Sequence, residues 1–430
     1  MHTLTVLEPG HFHAALTLRE RHPRVHDEIL VYAAEAPGGG DRGREVAEFL
    51  ELLAAFNRRP QHPTRWRPIV RVGPEPLGRL VADRPGDVVI LAGKNDRKMA
   101  LVRRLHDAGF HVLADKPWMT TAAALSDVRH VLGGGARVME MMTGRHATTA
   151  RVAERLVAEP EIFGAFDGGE GPAIQLASVH HLEKVVNGVP LRRPPWYFDV
   201  RVQGDGVADI PTHLVDQAQR FLAAGRAATG DGAELLAVRR WSTPVPRALF
   251  TRVTGAADFP PDVRADVTGE VLAYAGNVEL SFRLGGVEVD LAARWDLAEP
   301  PGGGDEHSAT VVGTGARVRV EQGRRTGFRR RLFVEPRGDR ARIGAALERA
   351  LAAWKPELPG LAATASPDGF EIEIPAGAGT AHEAQFPLVL DELLRAIEGG
   401  RWPDARAAET LAKYELLARA LAAAHAAPPA

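Results

Sequence analysis

Short apolar runs alternate with helical patterns over the first 120 residues of the chain. Residues 13–21 and 96–109 each carry their apolar side chains on one helical face. Strands that alternate with crossover helices form a parallel sheet. The pattern therefore predicts a doubly wound α/β domain over about residues 1–130. Its clearest strands are the apolar runs at residues 4–7, 28–34, 87–92 and 111–114.

The pattern changes in the second half of the chain. Between residues 232 and 334, apolar and polar positions alternate as in strands with one solvated face. A Pro/Gly-rich stretch at residues 300–304 predicts a loop, and residues 386–424 predict helices broken near residues 399–403. We predict a second, α+β domain over residues 131–430, built on a large open, mostly antiparallel sheet, with the C-terminal helices folding back. Its clearest strands are residues 278–284, 287–293 and 316–320.

Composition and charge exclude several classes of protein. The chain has 430 residues, of which 45% are hydrophobic and 25% charged, the balance of a folded protein of two or three domains. A formal net charge of -2 gives no attraction to nucleic acid or anionic lipid, and we interpret the arginine cluster at residues 324–331 as solvated surface. The absence of cysteine excludes disulfides and thiolate chemistry.

The sequence shows neither a signal peptide nor a membrane-spanning segment. The first residues lack the basic and apolar regions of a signal peptide, and no apolar run is long enough to cross a membrane. We expect a cytoplasmic protein with no membrane partner.

The turn after the first predicted strand is a candidate dinucleotide site. Against the pattern G-x-G-x-x-G, residues 8–13 keep only the middle glycine, Gly10, while Glu8 and His13 replace the other two. In a dinucleotide site this turn approaches the pyrophosphate, which makes Gly10, His11, Phe12 and His13 candidate cofactor contacts. An ordinary strand-to-helix turn explains the residues equally well.

A carboxylate after the second strand selects between the two nicotinamide cofactors. Glu35 stands at about the spacing at which an acid binds the adenosine ribose, which favours NAD. Arg42 or Arg44 could instead meet a 2′-phosphate, which leaves NADP open, and Glu35 could simply open a loop.

Two strand ends carry a family resemblance. Residues 87–95 read DVVILAGKN and residues 109–117 read GFHVLADKP. They resemble the Gfo/Idh/MocA family of glucose-fructose oxidoreductase and inositol dehydrogenase relatives, whose Glu-Lys-Pro signature is here Asp115-Lys116-Pro117. The resemblance implies an N-terminal Rossmann domain and a catalytic lysine, Lys116, beside the nicotinamide. It also implies cofactor contacts at Gly93, Asn95, Asp115 and Pro117. The alternative for Lys116 is a solvent-facing lysine at a strand end.

A second segment, GDGVADIPTHLVD at residues 204–216, resembles the family's D-x-x-x-H-x-x-D element. If a helix starts at Pro211, Asp209 precedes it, and His213 and Asp216 follow along one face. An imidazole of near-neutral pKa can take a hydroxyl proton, so His213 is the candidate general base and Asp209 its orienting carboxylate. A helix cap and a core histidine are the structural alternatives.

Further segments resemble one branch of this family that has its own C-terminal domain. They lie between residues 9 and 220, so the second half of the chain matches in pattern only. The segments are PGHFHAA at 9–15, FNR at 56–58, PTRW at 63–66, ADKPW at 114–118, SVHH at 178–181 and RPPWYFDV at 193–200.

The adjacent histidines His180 and His181 invite a metal site, which we do not predict. Neighbouring residues on a strand point to opposite faces, no carboxylate follows at a ligand spacing, and hydride transfer needs no metal. We expect His180, His181, Lys184, Trp196 and Tyr197, together with Asp216, to contact a sugar instead, because sugars stack on aromatic rings. Core packing of Trp196 is the alternative.

The sequence thus predicts an NAD-dependent oxidoreductase, with NADP possible, that acts on a secondary hydroxyl of a sugar, cyclitol or glycoside, C3 of a glycoside being the specific expectation. One alternative is a redox lyase or glycosidase that oxidises transiently, eliminates and reduces again. Another is a nucleotide-binding sensor without activity. An exposed apolar face of the large sheet would need cover, so we expect a homodimer or homotetramer.

Overall fold

The structure is a computed structural model that describes residues 1–35, 41–134, 137–169, 171–186, 189–227, 232–375, 382–400 and 404–426, with the backbone alone at residues 41, 42, 186 and 404. Two compact units divide the chain. The first comprises Met1–Thr143, Arg201–Gln203 and Ala381–Tyr414, and the second comprises Gly144–Val200, Gly204–Thr380 and Glu415–Ala430.

The strands of the first unit are β1 (His2–Leu7), β2 (Val25–Ala33), β3 (Arg67–Val72), β4 (Val88–Leu91), β5 (His111–Ala114) and β6 (Val138–Glu140). Those of the second unit are β7 (Ile174–Glu183), β8 (Val185–Val186), β9 (Val189–Pro190), β10 (Glu234–Pro246), β11 (Val267–Thr268), β12 (Val271–Leu284), β13 (Val287–Ala298), β14 (Glu306–Val312), β15 (Ala316–Gln322), β16 (Arg331–Pro336), β17 (Ala362–Ser366) and β18 (Gly369–Glu373).

The helices are α1 (His13–Thr17), α2 (Asp41–Arg58), α3 (Pro76–Asp83), α4 (Lys98–Asp107), α5 (Leu125–Leu132), α6 (Thr148–Ala158), α7 (Val200–Gln203), α8 (Pro211–Ala224), α9 (Arg247–Thr254), α10 (Arg340–Trp354), α11 (Phe386–Glu398) and α12 (Asp404–Ala426). Among the described helices, none is both long enough and apolar enough to span a membrane.

The first unit contains the predicted parallel sheet. Its six strands follow the order β3-β2-β1-β4-β5-β6, and every pair is parallel. The four residues of β4 are all buried, because a central parallel strand is covered on both faces. The carboxyl ends of β1 and β4 lie side by side at the point where the strand order reverses, which is where such sheets bind ligands.

Helix α11 belongs to the same unit as this sheet. Its apolar residues, among them Phe386, Leu390 and Leu393, form one buried cluster with strand residues such as Leu4 and Ile29. The division therefore differs from the predicted one: the first unit extends to Thr143, and it includes α11 and the first half of α12. Distant segments can join a sheet in this way because burial of an apolar face does not depend on chain order.

The second unit contains the predicted large, mostly antiparallel sheet. The strand order is β10-β12-β13-β7-β14-β15-β16-β18-β17, with β11 beside β12. Among the described strands of this sheet, only β13 and β7 pair in parallel. Helices α6 and α8 pack on it. The sheet extends beyond the predicted region, because β7 lies before residue 232 and β17 and β18 lie after residue 334.

The opposite face of this sheet is polar in the part that the structure describes. Cross-strand ion pairs join Arg239 to Glu279 and Arg319 to Glu335, with distances of 2.7 and 2.8 Å. Asp290 and Arg294 of β13 are also exposed. The expectation of an exposed apolar sheet face is therefore wrong, because the outward positions of the alternating strands are charged. The homodimer or homotetramer stays a prediction, but an apolar sheet face no longer supports it.

Candidate active site

The turn between β1 and α1 keeps the shape of a dinucleotide turn without its first glycine. Glu8 takes that glycine's place and adopts a left-handed backbone with φ of 46°, at a cost of roughly 1–2 kcal/mol. A Cβ on Gly10 would lie 3.2 Å from the Cα of Gly93, and a Cβ on Gly93 would lie 3.1 Å from the Glu8 oxygen. A side chain at either position would therefore be tight, and the two glycines favour the close approach of the turns after β1 and β4.

Backbone hydrogen bonds tie these two turns together. The N–H groups of Gly10 and His11 both donate to the oxygen of Ala92, at 3.0 and 3.1 Å. The first N–H groups of a helix have no acceptor within the helix. The N–H groups of Phe12 and His13, at the start of α1, are consequently the better candidates for contact with a cofactor phosphate.

A cavity of about 230 Å³ opens beside the turn. Glu35 is exposed and follows β2, at the predicted place for a ribose contact. Arg44 is paired with Glu48 at 2.8 Å, and the side chain of Arg42 lies outside the described residues. The cavity is lined by residues that follow β1, β2 and β4 or belong to the adjacent helices, namely Glu8, Pro9, Ala33, Ala34, Glu45, Val46, Leu91, Gly93, Lys94, Asp96, Arg97 and Leu101.

Asp115, at the end of β5, faces the side chains of the turn. His13 Nδ1 lies 3.0 Å from both oxygens of the Asp115 carboxylate, and His11 Nδ1 lies 3.3 Å from Oδ2. Burial lowers the pKa of His13 to about 3, although Asp115 acts to raise it. Burial would raise the pKa of Asp115, but His13, His11 and Lys98 together hold it well below its usual range. The cluster therefore contains an ionised carboxylate and an uncharged His13 imidazole.

Asn95 and Lys98 form a buried network behind Asp115. The Lys98 ammonium donates to Asn95 Oδ1 and, at 2.9 Å, to the main-chain oxygen of Asp115. Asn95 Nδ2 donates to the main-chain oxygen of Gln203 at 2.7 Å. Asn95 thus positions the end of β5, and its predicted cofactor contact stays a prediction. Sequence reasoning missed Lys98 because it occupies an ordinary first turn of a helix.

Lys116 is half-buried and follows Asp115 directly, and its backbone N–H donates to Asp115 Oδ1 at 2.8 Å. The Lys116–Pro117 peptide bond is cis. The next residue, Trp118, stacks on Tyr414 with a 5.6 Å separation of ring centroids. The Tyr414 hydroxyl accepts from the Trp118 N–H at 2.9 Å and donates to Glu140. Helix α12 therefore supports the segment that carries Lys116, a contact between residues almost 300 positions apart that no sequence pattern revealed.

In the second unit, the segment before α8 packs tightly on β12. A Cβ on Gly206 would lie 2.4 Å from the oxygen of Asn277, so only glycine fits there. Asp205 Oδ1 accepts from the N–H of Val207 at 2.9 Å, and Asp205 Oδ2 accepts from Arg240 at 3.1 Å. Asp205, which the sequence analysis did not single out, fixes the loop that leads to Asp209.

Helix α8 begins at Pro211, as predicted from proline at a first helical position. Asp209 precedes the helix and is buried, and His213 lies in the first turn, half-buried. Burial raises the pKa of Tyr197, and the charge of Asp209 raises it further. Tyr197 is therefore a neutral phenol close to Asp209. The catalytic roles of Asp209 and His213 stay predictions.

Asp216 is engaged by an ion pair. Arg145 Nε lies 3.0 and 2.9 Å from the two carboxylate oxygens, and a second guanidinium nitrogen lies 2.7 Å from Oδ1. Arg220, one turn along α8, lies 4.0 Å away. Asp216 thus holds α8 to the segment before α6, and its predicted sugar contact stays a prediction.

His180, His181 and Lys184 converge on one carboxylate, Asp305. His180 Nδ1 lies 3.1 Å from Oδ2, His181 Nδ1 3.4 Å from Oδ1, and Lys184 Nζ 2.6 Å from Oδ2. The inference that the two histidines point apart is therefore wrong. Asp305 lies in the loop before β14, where strand alternation does not constrain its side chain. Burial would raise the pKa of Asp305, but hydrogen bonds from His180 and His181 hold it below its usual range.

The cluster continues along β7. Ser178 Oγ lies 2.6 Å from His180 Nε2 and 2.8 Å from His307 Nδ1, and His180 packs against Trp295 with 5.0 Å between ring centroids. Ser178 is buried. Asp305 and His307 come more than 120 residues after His180, which is why sequence spacing did not reveal the cluster.

The aromatic candidates are buried. Trp196 and Tyr197 are 7% and 5% exposed. The Arg193 guanidinium lies over Tyr197 and Trp295, 4.5 and 5.1 Å from the ring centroids, and it donates to the main chain of Leu182 and His181. This burial agrees with core packing, and sugar contact by Trp196 and Tyr197 stays a prediction.

The chain is similar to a known protein family and to several solved structures. The sequence model of the family described as "Putative oxidoreductase C terminal domain" matches residues 152–425. The crystal structure of a putative oxidoreductase from Parabacteroides merdae ATCC 43184 is 33% identical, with 99% of this chain and 98% of that chain covered and a TM-score of 0.92. Comparison with curated proteins gave no match.

More distant structures share the fold alone. A levoglucosan dehydrogenase in its apo form is 15% identical over 98% of this chain and 97% of that chain, with a TM-score of 0.61. A 3-ketoreductase from Actinomadura kijaniata, in complex with TDP-benzene and NADP, is 15% identical over 98% of this chain and 96% of that chain, with a TM-score of 0.56. The family match identifies the chain as an oxidoreductase, and its doubly wound sheet is of the dinucleotide-binding type. The chain belongs to the Gfo/Idh/MocA family, in the branch with this C-terminal domain.

Proposed function

We propose that this protein is an NAD(P)-dependent dehydrogenase that oxidises a secondary hydroxyl of a carbohydrate, with C3 of a glycoside as the favoured position. The contact between Asp115 and His13 carries the proposal, because it holds Lys116 at the end of β5 next to the turn after β1. Strand ends at the reversal of a doubly wound sheet are where dinucleotide enzymes perform their chemistry.

The described residues fit a dinucleotide. Gly10 and Gly93 leave a cradle that a Cβ at either position would narrow. The N–H groups of Phe12 and His13 at the start of α1 are suited to a phosphate, and Glu35 is suited to the ribose hydroxyls of NAD. When bound, the nicotinamide supplies the hydride acceptor.

Three residues are proposed to carry the chemistry of the alcohol. Lys116 donates a hydrogen bond to the hydroxyl oxygen and stabilises the negative charge that develops there. A ring nitrogen of His213 takes the hydroxyl proton while the carbon loses its hydride, so the alcohol becomes a ketone. The carboxylate of Asp209 orients the imidazole and favours its protonated form. The reverse reaction returns the proton from His213 to the oxygen.

The Asp305 cluster is proposed to bind the sugar. Its ammonium, carboxylate and imidazoles provide donors and acceptors within about one hydrogen-bond length of each other, which suits a polyol. The proposal of a carbohydrate and of its third carbon is in line with two distant structural neighbours, a levoglucosan dehydrogenase and a 3-ketoreductase.

One experiment separates the proposal from its alternatives. The purified protein is incubated with NAD or NADP and a panel of sugars, cyclitols and glycosides, while absorbance at the NADH band and the products are followed. Reduced cofactor together with a keto sugar supports the dehydrogenase. Bond cleavage without net reduction would identify a redox lyase or glycosidase instead. Tight cofactor binding with no product from any substrate would favour the remaining alternative, a nucleotide-binding sensor without activity.

A further inference from the structure

Three potential metal ligands meet in the first unit, at the ends of β1 and β5. His11, His13 and Asp115 each offer one ligand atom, and these atoms all lie within 4.8 Å of one another. We propose that His11, His13 and Asp115 bind a divalent transition-metal ion. Such a site goes beyond the proposed dehydrogenase chemistry, which needs no metal.

The separations between the atoms fit coordination. Bonds of about 2.0–2.2 Å to one ion place neighbouring ligand atoms roughly 3.0–3.6 Å apart in octahedral or tetrahedral geometry. His13 Nδ1 is 3.0 Å from the carboxylate oxygens of Asp115, and His11 Nδ1 is 3.3 Å from Oδ2. The distance from Asp115 to each imidazole nitrogen therefore fits coordination of one ion, and the two imidazole nitrogens lie within 4.8 Å of each other.

His11 supplies an independent observation. Its Nδ1 atom is shielded from solvent and makes no well-aligned hydrogen bond among the described residues, although it lies 3.3 Å from Oδ2 of the Asp115 carboxylate. A buried polar atom without a partner is unfavourable, and such exceptions in folded proteins call for an explanation such as an ion. Coordination of a metal through Nδ1 would satisfy it.

Neighbouring groups hold the proposed ligands in place. The Lys116 N–H donates a hydrogen bond to Asp115 Oδ1 at 2.8 Å and so fixes the carboxylate. The buried ring of Phe386 packs on His13 with 4.6 Å between centroids, and the exposed ring of Phe12 packs at the same distance. The apolar surface of Phe386 limits water access to His13 from that side.

The ligand set indicates the class of ion. Two imidazoles and one carboxylate bind Zn²⁺, Fe²⁺ or Co²⁺, and the chain contains no cysteine that would compete. Three protein ligands leave at least one position for water or for an oxygen of a bound molecule.

A second histidine cluster provides a matched control. His106, Asp107 and His130 also place their ligand atoms within 4.8 Å, but His130 and Asp107 are exposed. Exposed ligands have no shell that fixes them, so we expect only weak binding there. The variant His130→Ala removes this cluster and leaves the proposed site unchanged.

The test is a titration of the full-length, chelator-treated protein with Co²⁺ in the absence of dinucleotide, followed by visible absorption and confirmed with Zn²⁺ by calorimetry. We expect one equivalent of tight binding in the native protein and in His130→Ala. His11→Ala and His13→Asn should each weaken binding by roughly 10–100-fold or more. Absence of binding in the native protein, or binding that is unchanged in His11→Ala, would overturn the proposal.

Folding and cofactor binding are monitored separately. His11 is partly exposed, so His11→Ala is expected to fold, and circular dichroism verifies this. Dinucleotide affinity is followed by fluorescence on the same variants. Failure to bind metal while the dinucleotide binds overturns the metal site alone. If the protein binds the metal but oxidises no sugar, the metal site is supported. That result counts against the proposed function alone.

Discussion

The imidazole of His13 contacts the carboxylate of Asp115, with Nδ1 3.0 Å from each oxygen. Both residues depart from the family pattern: His13 replaces a glycine of the dinucleotide turn, and Asp115 replaces the glutamate of Glu-Lys-Pro. The contact between these two residues links the ends of β1 and β5.

Stability should fall on acidification because of His13. Burial lowers its pKa to about 3 in the folded protein, whereas an exposed histidine titrates at about 6.5. Below about pH 6.5 the unfolded chain therefore binds a proton that the folded chain does not. The free energy of unfolding should decrease from there toward about pH 3, by up to ~1.4 kcal/mol per pH unit. Urea unfolding at several pH values measures this decrease.

His13→Asn serves as the comparison, since an amide can still donate to Asp115 and does not titrate. The variant should lose part of the pH dependence between about pH 6.5 and 4.5. An unchanged pH dependence in His13→Asn would show that His13 is not the group responsible.

Lys116→Ala should strongly lower turnover and leave dinucleotide binding intact. Loss of a group that stabilises charge on the reacting oxygen costs roughly 10²–10³-fold in kcat. Steady-state kinetics and fluorescence titration of NADH measure the two effects. The exposed Lys355, on the other unit, gives the control variant Lys355→Ala, which should behave as the native protein. A Lys116→Ala enzyme of native activity contradicts the assignment.

His213→Asn should lower kcat by roughly 10²–10⁴-fold, the usual contribution of a general base. It should also remove the acidic limb of the pH profile of kcat/KM, which a structural role alone would not do. The exposed His26 is the control, and His26→Asn should retain both the rate and the profile. Retention of the acidic limb in His213→Asn would assign the base elsewhere.

Asp305→Ala should raise KM for the sugar with little change in dinucleotide affinity. The variant leaves Lys184 and His180 without their shared carboxylate, which costs roughly 1–3 kcal/mol per unsatisfied group. Because Asp305 and Lys184 are in contact, the double variant with Lys184→Ala should cost less than the sum of the single variants. If the effects of the two single variants on KM were strictly additive, or if KM were unchanged, the Asp305 cluster would not be the sugar-binding site.

Glu35→Ala should reduce the preference for NAD over NADP. A carboxylate binds the ribose hydroxyls and repels a 2′-phosphate, and one such interaction is worth roughly a tenfold change. The ratio of kcat/KM for the two cofactors measures the preference. Glu51→Ala, an exposed position on α2, is the control. Should both variants keep the native ratio, Glu35 is not the selecting residue.

Two of the segments that carry the family resemblance, residues 56–58 and 63–66, have a structural explanation. Asn57 Oδ1 accepts from the Thr64 hydroxyl at 2.6 Å and from the Trp66 N–H at 2.9 Å. The Trp66 indole donates to the Leu18 oxygen at 2.6 Å. These residues hold the end of α2 to the loop before β3. A distinctive motif is thus not by itself a sign of chemistry.

The sequence by itself determined the classes of the two sheets and some of their elements. The strands β1, β4 and β5 agree with the predicted runs to within one or two residues, because buried parallel strands are uninterrupted apolar segments. Helix α1 is shorter than predicted and ends at Thr17, since propensity alone does not define a helix end. The family followed from Asp115-Lys116-Pro117, a local motif that a single chain segment displays.

Only the tertiary structure decided which side chains meet. His13 and Asp115, His180 and Asp305, and Trp118 and Tyr414 are each separated by more than 100 residues in the chain. Periodicity records which face of an element is buried, but it does not record which distant polar groups share that space. Those pairings depend on strand order and loop paths, which place the carboxylates Asp115 and Asp305 beside histidines that no spacing rule connects to them.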